Sequence, residues 1–183
     1  MRYRPLGRTG LQVSEIGFGA ASWWGKARFP EIPAARLVDA AIAGGVTFFD
    51  TGASYSDGNA EPRLGRVLKG RNLSGLVIAS KAGTFAQGGR VGRDFSPAAV
   101  VASAERSLRN LGLDTVDVQQ FHVWSDEWVD RGSWRDGIEQ LKADGKIRAF
   151  GVSINDHQPA NAIKLIESGA VDTVQVIYNI FDQ

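Results

Sequence analysis

The chain has 183 residues, is 43% hydrophobic and 22% charged, and carries a formal net charge of +1, enough chain for one sizeable core and no basic field to draw nucleic acid or an anionic membrane. It has no cysteine, which excludes disulfides, thiol nucleophiles and thiolate metal sites, and its two histidines, His122 and His157, are too few for a histidine-built metal site. No apolar run approaches the ~20 residues of a membrane span and the first eight residues hold no apolar secretory core, so a cytoplasmic protein is expected.

Arg2 to Pro5 and Leu11 to Ser14 flank the turn-rich Gly7-Arg-Thr-Gly10, a hairpin pattern. Ile16 to Gly19 reads as a first buried strand, followed by a loop from Ala20 to Gly25 that carries Trp23 and Trp24. A helix is expected over Pro33–Ala43, with proline in its first turn and Gly44-Gly45 as its stop. Val46-Thr-Phe-Phe49 is the second strand, ending on Asp50; a loop of small residues then presents Tyr55 before a helix over roughly 60–69 with Glu61 near its start. Leu76 to Ser80 is the third strand, ending at Lys81, and a glycine-rich loop runs from Gly83 to Gly92. Ser96-Pro97 caps and opens a helix to about Asn110. Val116 to Phe121 is the fourth strand, ending at His122. A helix over 133–143, a fifth strand from Ile147 to Val152 ending at Ser153, a helix from Gln158-Pro159 to Ser168 and a sixth strand from Thr173 to Ile177 complete the series.

After the hairpin, strands and helices alternate with a spacing of roughly 30 residues, the length of a βαβ unit. No linker or charge block divides the chain, so one domain is expected over 1–183. An open doubly wound sheet and a piece of a (β/α)8 barrel both fit. The dinucleotide fingerprint G-x-G-x-x-G that would favour the open sheet is absent; Gly17-Phe-Gly19 is only G-x-G. The barrel predicts functional residues just past the carboxyl ends of several strands. Asp50, Lys81, His122, Ser153 and Gln175 interrupt or follow the apolar runs in that way.

A carboxylate at the end of a buried strand needs a cationic partner, and Lys81 on the next strand can supply it. Lys81 can also favour the phenolate of Tyr55 and lower its pKa, while His122 can hydrogen-bond a substrate oxygen. Together these groups form a proton donor aimed at an oxygen that gains negative charge, as in carbonyl reduction by hydride. None is an adequate hydride source, so a cofactor is implied. Each residue alone has a plain alternative: Asp50 a turn or helix cap, Tyr55 a surface aromatic, Lys81 a solvated amine, His122 a core histidine. A barrel enzyme using a Schiff base at Lys81 is a further alternative, opposed by Asp50, which would keep the amine protonated.

The chain resembles an aldo-keto reductase along nearly its whole length. The resemblance rests on Asp50-Thr-Gly-Ala-Ser-Tyr55 with Glu61 and Leu64-Gly65, on Ile78-Ala-Ser-Lys81, on Ser107 through His122, on Lys146 through Ser153, on Gln175-Val-Ile-Tyr-Asn179, and on the opening Arg4 to Ser14. It implies an α/β fold of the (β/α)8 TIM-barrel type whose bottom is plugged by an N-terminal β-hairpin. It implies Asp50, Tyr55, Lys81 and His122 as the catalytic tetrad, with Tyr55 the proton donor. It implies NADPH as cofactor, with NADH open, held by Asp50, Ser153 and Gln175 and by Asn155, which Ile154 separates from Ser153. The substrate would be a small-molecule carbonyl compound. Trp23 and Trp24 would wall the substrate pocket, or one of them would simply pack. Ser56 stands where glycine is usual, which is tolerable if its φ stays negative.

A (β/α)8 barrel takes ~250 residues, and the 183 residues reach only the sixth strand. The expected architecture is therefore a barrel truncated after six strands, without the seventh-strand aromatic and the phosphate-binding segment near the eighth. Two open edges would then favour self-association. The leading function is an NAD(P)H-dependent reductase of aldehydes and ketones; the alternative is a non-catalytic fragment or a regulatory subunit of the same family.

Overall fold

The computed structural model describes residues 1–87, 90–131, 133–155 and 158–181. It opens with an antiparallel hairpin, β1 (Tyr3–Pro5) and β2 (Gln12–Ser14), with Tyr3 opposite Ser14. Its turn is closed by Thr9, whose hydroxyl donates to the Leu6 carbonyl at 2.6 Å and accepts from the Leu11 N–H at 3.1 Å. The main sheet follows: β3 (Gly17–Gly19), β4 (Phe48–Asp50), β5 (Val77–Ala82), then β8 (Val116–His122), β9 (Ile147–Ser153) and β10 (Thr173–Gln175), all parallel and adjacent in chain order. Between β5 and β8 stands a second antiparallel hairpin, β6 (Thr84–Gln87) and β7 (Arg90–Arg93). The helices are α1 (Glu31–Ala43), α2 (Ala60–Leu68), α3 (Pro97–Leu111), α4 (Trp134–Ala143) and α5 (Ile163–Glu167).

Alternation along the strands sorts side chains into two layers. Val77, Ala79, Val118 and Ala149 face inward and pack with Leu11 and Val13 of the first hairpin. The hairpin thus fills the concave face near the amino ends of the strands. The outward residues meet the helices. Phe49 and Ile78 pack with Val38 of α1, Leu64 and Leu68 of α2 and Leu111 of α3. Phe121, Phe150 and Val152 pack with Val100, Ala104, Trp134, Ile138 and Leu141 of α3 and α4.

Besides small shifts at element ends (α1 starts two residues before Pro33 and β5 runs two residues past Ser80), four differences from the sequence reading have a visible cause. The second strand starts at Phe48 rather than Val46, because the two preceding N–H groups are used elsewhere: Val46 donates to the Ala41 carbonyl at 2.9 Å and Thr47 to the Ser14 hydroxyl at 2.9 Å. Ser14 returns the bond to the Thr47 hydroxyl at 2.8 Å, which ties the first hairpin to the sheet. The sixth strand stops at Gln175 because its neighbour β9 stops opposite, at Ser153. The last helix is split into a 3-10 turn over Pro159–Ala162 and the short α5, whose Lys164 N–H is accepted by Asp126 at 3.0 Å. The glycine-rich stretch expected as a loop contains the β6–β7 hairpin; a Gly-Gly pair between two four-residue runs is a hairpin signal, and Gly88 and Gly89 themselves lie outside the described residues.

Helix α2 is bound to its surroundings by buried polar groups. Glu61, 1% exposed, accepts from the Ser80 hydroxyl on the outward face of β5 and from Asn110 Nδ2 of α3 at 2.9 Å. One turn on, Gly65 lies directly against the end of α3: a Cβ there would stand 2.5 Å from the Asn110 carbonyl oxygen and 2.7 Å from that of Leu111. Alanine favours a helix over glycine by ~1 kcal/mol, but here it meets backbone that has no rotamer with which to yield. Gly65→Ala is therefore expected to destabilise the fold by ~1–3 kcal/mol, read as a lower midpoint of urea unfolding. An unchanged or raised midpoint would show that α2 and α3 do not meet at this glycine.

Candidate active site

The inward phase that buries Val77, Ala79, Val118 and Ala149 also governs the carboxyl ends of the strands. Two residues beyond Phe48 it gives Asp50; beyond Ala79, Lys81; beyond Val118, Gln120 and then His122. On β9 it gives Ser153, and on β10 Gln175, paired with Ser153 in the register. The five strand-end polar residues singled out in the sequence are thus brought to one end of one concave face. Gly151, between Ala149 and Ser153, leaves room there: a Cβ would lie 2.3 Å from the Thr173 hydroxyl and 3.1 Å from the Gln120 side chain.

The centre of this face is an ion pair. Lys81 Nζ donates to both carboxylate oxygens of Asp50, each at 2.6 Å, and to the Thr51 carbonyl at 2.9 Å. The lysine side chain is 3% exposed and the aspartate 15%. Gln120 Nε2 adds a donor to Asp50 Oδ1 at 3.2 Å. Burial pushes the Lys81 pKa below its ordinary value, and the Asp50 charge and hydrogen bond oppose that shift.

Tyr55 stands over this pair, its ring centroid 4.8 Å from Lys81 Nζ and 5.8 Å from the His122 ring, which it meets edge-on at 82°. The sequence reading had the Lys81 ammonium lowering the Tyr55 pKa. In the structure the phenol is instead pushed up to about 12, first by burial and then by the Asp50 charge. The reason is electrostatic: Asp50 lies against Lys81, so the phenol faces a nearly neutral pair rather than a free cation. The His122 pKa is lowered by burial and by the charges of Lys81 and Arg93, with Asp50 opposing.

The turn that presents Tyr55 is a 3-10 segment over Tyr55–Gly58 with left-handed backbone inside it: φ is 54° at Ser56, 58° at Asp57 and 85° at Gly58. The condition under which serine is easily tolerated there, a negative φ, is therefore not met. A left-handed residue with a side chain costs ~1–2 kcal/mol, less for aspartate, whose short polar group tolerates it. The Ser56 hydroxyl, in return, donates to the Ser22 carbonyl at 2.8 Å and accepts from the Gly25 N–H at 3.0 Å.

The two tryptophans of that loop separate. Trp24 is 4% exposed and packs edge-on against Phe18 at 5.3 Å and against Phe29. It belongs to the core beneath the loop, the alternative in which one of the two tryptophans packs. Trp23 is 59% exposed, with the Arg28 guanidinium 4.8 Å above its ring. Ser153 is nearly buried, and Gln175 Oε1 is buried with no hydrogen-bond partner among the described residues. Asn155 is exposed and lies past the end of β9, because Ile154 turns outward into the core.

Two participants were missed in the sequence. Gln120 had a signal, since it shares the phase of His122 on an apolar strand. Arg63 had none: it is 8% exposed and its Nη1 donates to the carbonyls of Trp24 and Phe29, both at 2.5 Å, clamping the loop after β3.

A parallel β/α barrel sheet with a buried lysine–aspartate pair, a tyrosine and a histidine at its carboxyl end defines the class. The chain belongs to the Aldo/keto reductase family, whose sequence profile matches residues 15–183. It is 29% identical to the aldo-keto reductase YhdN of Bacillus subtilis, in an alignment covering 100% of this chain and 55% of the relative. It is 27% identical to a protein of Escherichia coli named NADH-specific methylglyoxal reductase, covering 100% and 60%. A solved structure from Pseudomonas aeruginosa, assigned to the same family, superposes with a TM-score of 0.87 at 32% identity, covering 99% of this chain and 70% of that one. The chain thus spans little more than half the length of these curated relatives, and its six parallel strands correspond to part of the family's (β/α)8 barrel. The family is one of oxidoreductases that act on small-molecule carbonyl compounds. Among the described residues no helix is long and apolar enough to cross a membrane.

The raised Tyr55 pKa has a measurable consequence. An unperturbed phenol ionises near ~10, so between about pH 10 and pH 12 the unfolded chain loses this proton while the folded chain keeps it. The contribution of Tyr55 to stability is whole below that window and falls as pH rises through it. The phenolate absorbance of the native chain minus that of Tyr55→Phe is expected to be near zero at pH 10 and to grow only toward pH 12. A difference already half-developed near pH 10 would show that burial does not hold the proton on the phenol, and one half-developed well below pH 10 that the Lys81 charge governs it.

Proposed function

We propose that this chain carries the proton-donating half of an NAD(P)H-dependent reduction of aldehydes or ketones to alcohols, with Tyr55 as the donor. The observation that supports it is the placement of a half-buried, protonated phenol over a neutralised lysine–aspartate pair and beside a histidine whose pKa is lowered.

In this reading a carbonyl oxygen lies against Tyr55 and His122. Both groups are uncharged at neutral pH and can donate a hydrogen bond to it, which polarises the carbonyl. As the carbon accepts hydride the oxygen becomes an alkoxide, a far stronger base than a phenolate. The phenol proton therefore passes to it although the resting pKa of Tyr55 is high. Lys81 then faces the phenolate left behind, and its attraction replaces part of the hydration that burial removed. Asp50 and Gln120 hold the lysine in place throughout.

A nicotinamide cofactor supplies the hydride when bound. The residues present fit its carboxamide: Gln175 Oε1 is a buried acceptor with no partner among the described residues, and Ser153 beside it offers a hydroxyl. Asp50 belongs with them through its place at the centre of the face, and Asn155 with the rim beyond β9. NADPH is the proposed cofactor; the name of the Escherichia coli relative shows that the family also contains a protein specific for NADH, so both belong in the test.

The experiment is consumption of NADPH and of NADH by purified 1–183 with a small reactive aldehyde, alongside Tyr55→Phe. Turnover by the native chain and a loss of ~100-fold or more in Tyr55→Phe, with unfolding still cooperative, are expected. Equal rates in the two proteins would remove Tyr55 as donor. No turnover in a folded native chain would remove the claim that these residues form a working site in this chain.

A further inference from the structure

The residue after the proposed proton donor is in an unfavourable backbone conformation that glycine would adopt freely. Ser56 has φ 54° and Asp57 φ 58°, so two side-chain-bearing residues in succession are left-handed. Across from them the loop after β3 is adapted to the same spot. Ser22, whose carbonyl takes the Ser56 hydroxyl proton, is itself left-handed at φ 44°. Gly25, whose N–H is accepted by that hydroxyl, has no room for a side chain: a Cβ would stand 2.5 Å from Ser56 Cβ and 2.8 Å from the Ala60 nitrogen. The Ser56 side chain is buried, and its donor and an acceptor site are both engaged with this one loop.

The loop is fastened at its other end to the ion-pair strand. The Ala20 N–H donates to the Asp50 carbonyl at 2.7 Å, and the Thr51 hydroxyl to the Ala20 carbonyl at 3.1 Å. Lys26 pairs with Asp57, and Arg63 holds the carbonyls of Trp24 and Phe29. Of these contacts the Ser56 bridge is nearest in the chain to Tyr55. The Tyr55 backbone is otherwise held within its own turn, its N–H on the Gly52 carbonyl at 3.0 Å and its carbonyl accepting from the Asn59 N–H.

We propose that Ser56 is a positioning residue: its hydroxyl latches the 20–29 loop onto the turn that presents Tyr55, and so fixes the phenol over Lys81 and beside His122. The proposal rests on Tyr55 being the proton donor of the preceding section. It goes beyond it in assigning the placement of that donor to a bridge between two loops rather than to the barrel strands alone.

The informative variant is Ser56→Gly, which relieves the left-handed strain while removing both hydrogen bonds, and so keeps the fold intact where Ser56→Ala would retain the strain. Two readouts need no turnover. Hydrogen exchange is expected to show the Gly25 amide at least tenfold faster in Ser56→Gly, with the amides of β5 and β8 unchanged. The Tyr55 phenol, followed as the phenolate difference between Ser56→Gly and Ser56→Gly/Tyr55→Phe, is expected to ionise at lower pH than in the native chain as its ring leaves the buried position. Unchanged exchange at Gly25 overturns the latch. Faster exchange with an unchanged Tyr55 titration makes Ser56 a loop fastener only and overturns the positioning role. Turnover with an aldehyde is judged separately: a native chain without activity counts against the proposed reaction, whereas the two spectroscopic outcomes decide the latch in either case. Where the native chain does turn over, Ser56→Gly is expected to lose about tenfold in kcat with less than a threefold change in cofactor affinity.

Discussion

The buried contact between Lys81 and Asp50 constrains the rest of the site. Removing either charge from water is costly, and only close geometry with further hydrogen bonds offsets that cost. The chain supplies both: two 2.6 Å contacts within the pair, the Thr51 carbonyl on the ammonium and the Gln120 amide on the carboxylate. Such a pair forms only if β4 and β5 lie side by side in parallel register, with Asp50 opposite Ala79. It therefore couples the register of the sheet to the chemistry at its end. It also accounts for the state of Tyr55. A lone lysine would draw the phenol toward phenolate; a neutralised one leaves burial in control, and the phenol keeps its proton.

Much of this was legible from the sequence because one period was clean. Apolar runs about 30 residues apart gave six strands in order, and the polar residues that interrupt or follow five of them marked Asp50, Lys81, His122, Ser153 and Gln175. The structure then places all five on the inward face. Where the reading slipped, the cause was a side chain or partner distant in sequence. Val46 and Thr47 look like strand but donate to Ala41 and Ser14. Val176 and Ile177 look like strand but lie past the last residue of the neighbouring strand, β9. The final helix was broken by Asp126, a capping group from another segment.

The loops were the least legible part, and for a physical reason. A strand announces itself through its own composition, whereas a loop conformation is decided by what it touches. Nothing near Arg63 in sequence says that its guanidinium serves the carbonyls of Trp24 and Phe29. Nothing near Ser56 says that a left-handed serine is held by Ser22 and Gly25. Trp23 and Trp24, adjacent and chemically identical, take opposite roles because one faces Phe18 and the other faces solvent beneath Arg28. These contacts join the loop after β3 to the Tyr55 turn, the region where the family resemblance places the substrate pocket.

The central claim, that the Asp50–Lys81 pair holds together both the sheet end and the site, is tested most directly by a double-mutant cycle read by urea unfolding, with Asp50→Asn, Lys81→Met and the two combined. Each single change leaves a buried charge without its partner, which costs ~3–5 kcal/mol. The combined change leaves none and should cost well below the sum, giving a coupling of at least ~1–3 kcal/mol. Additive losses within ~0.5 kcal/mol would contradict the account and mean that the two residues act independently.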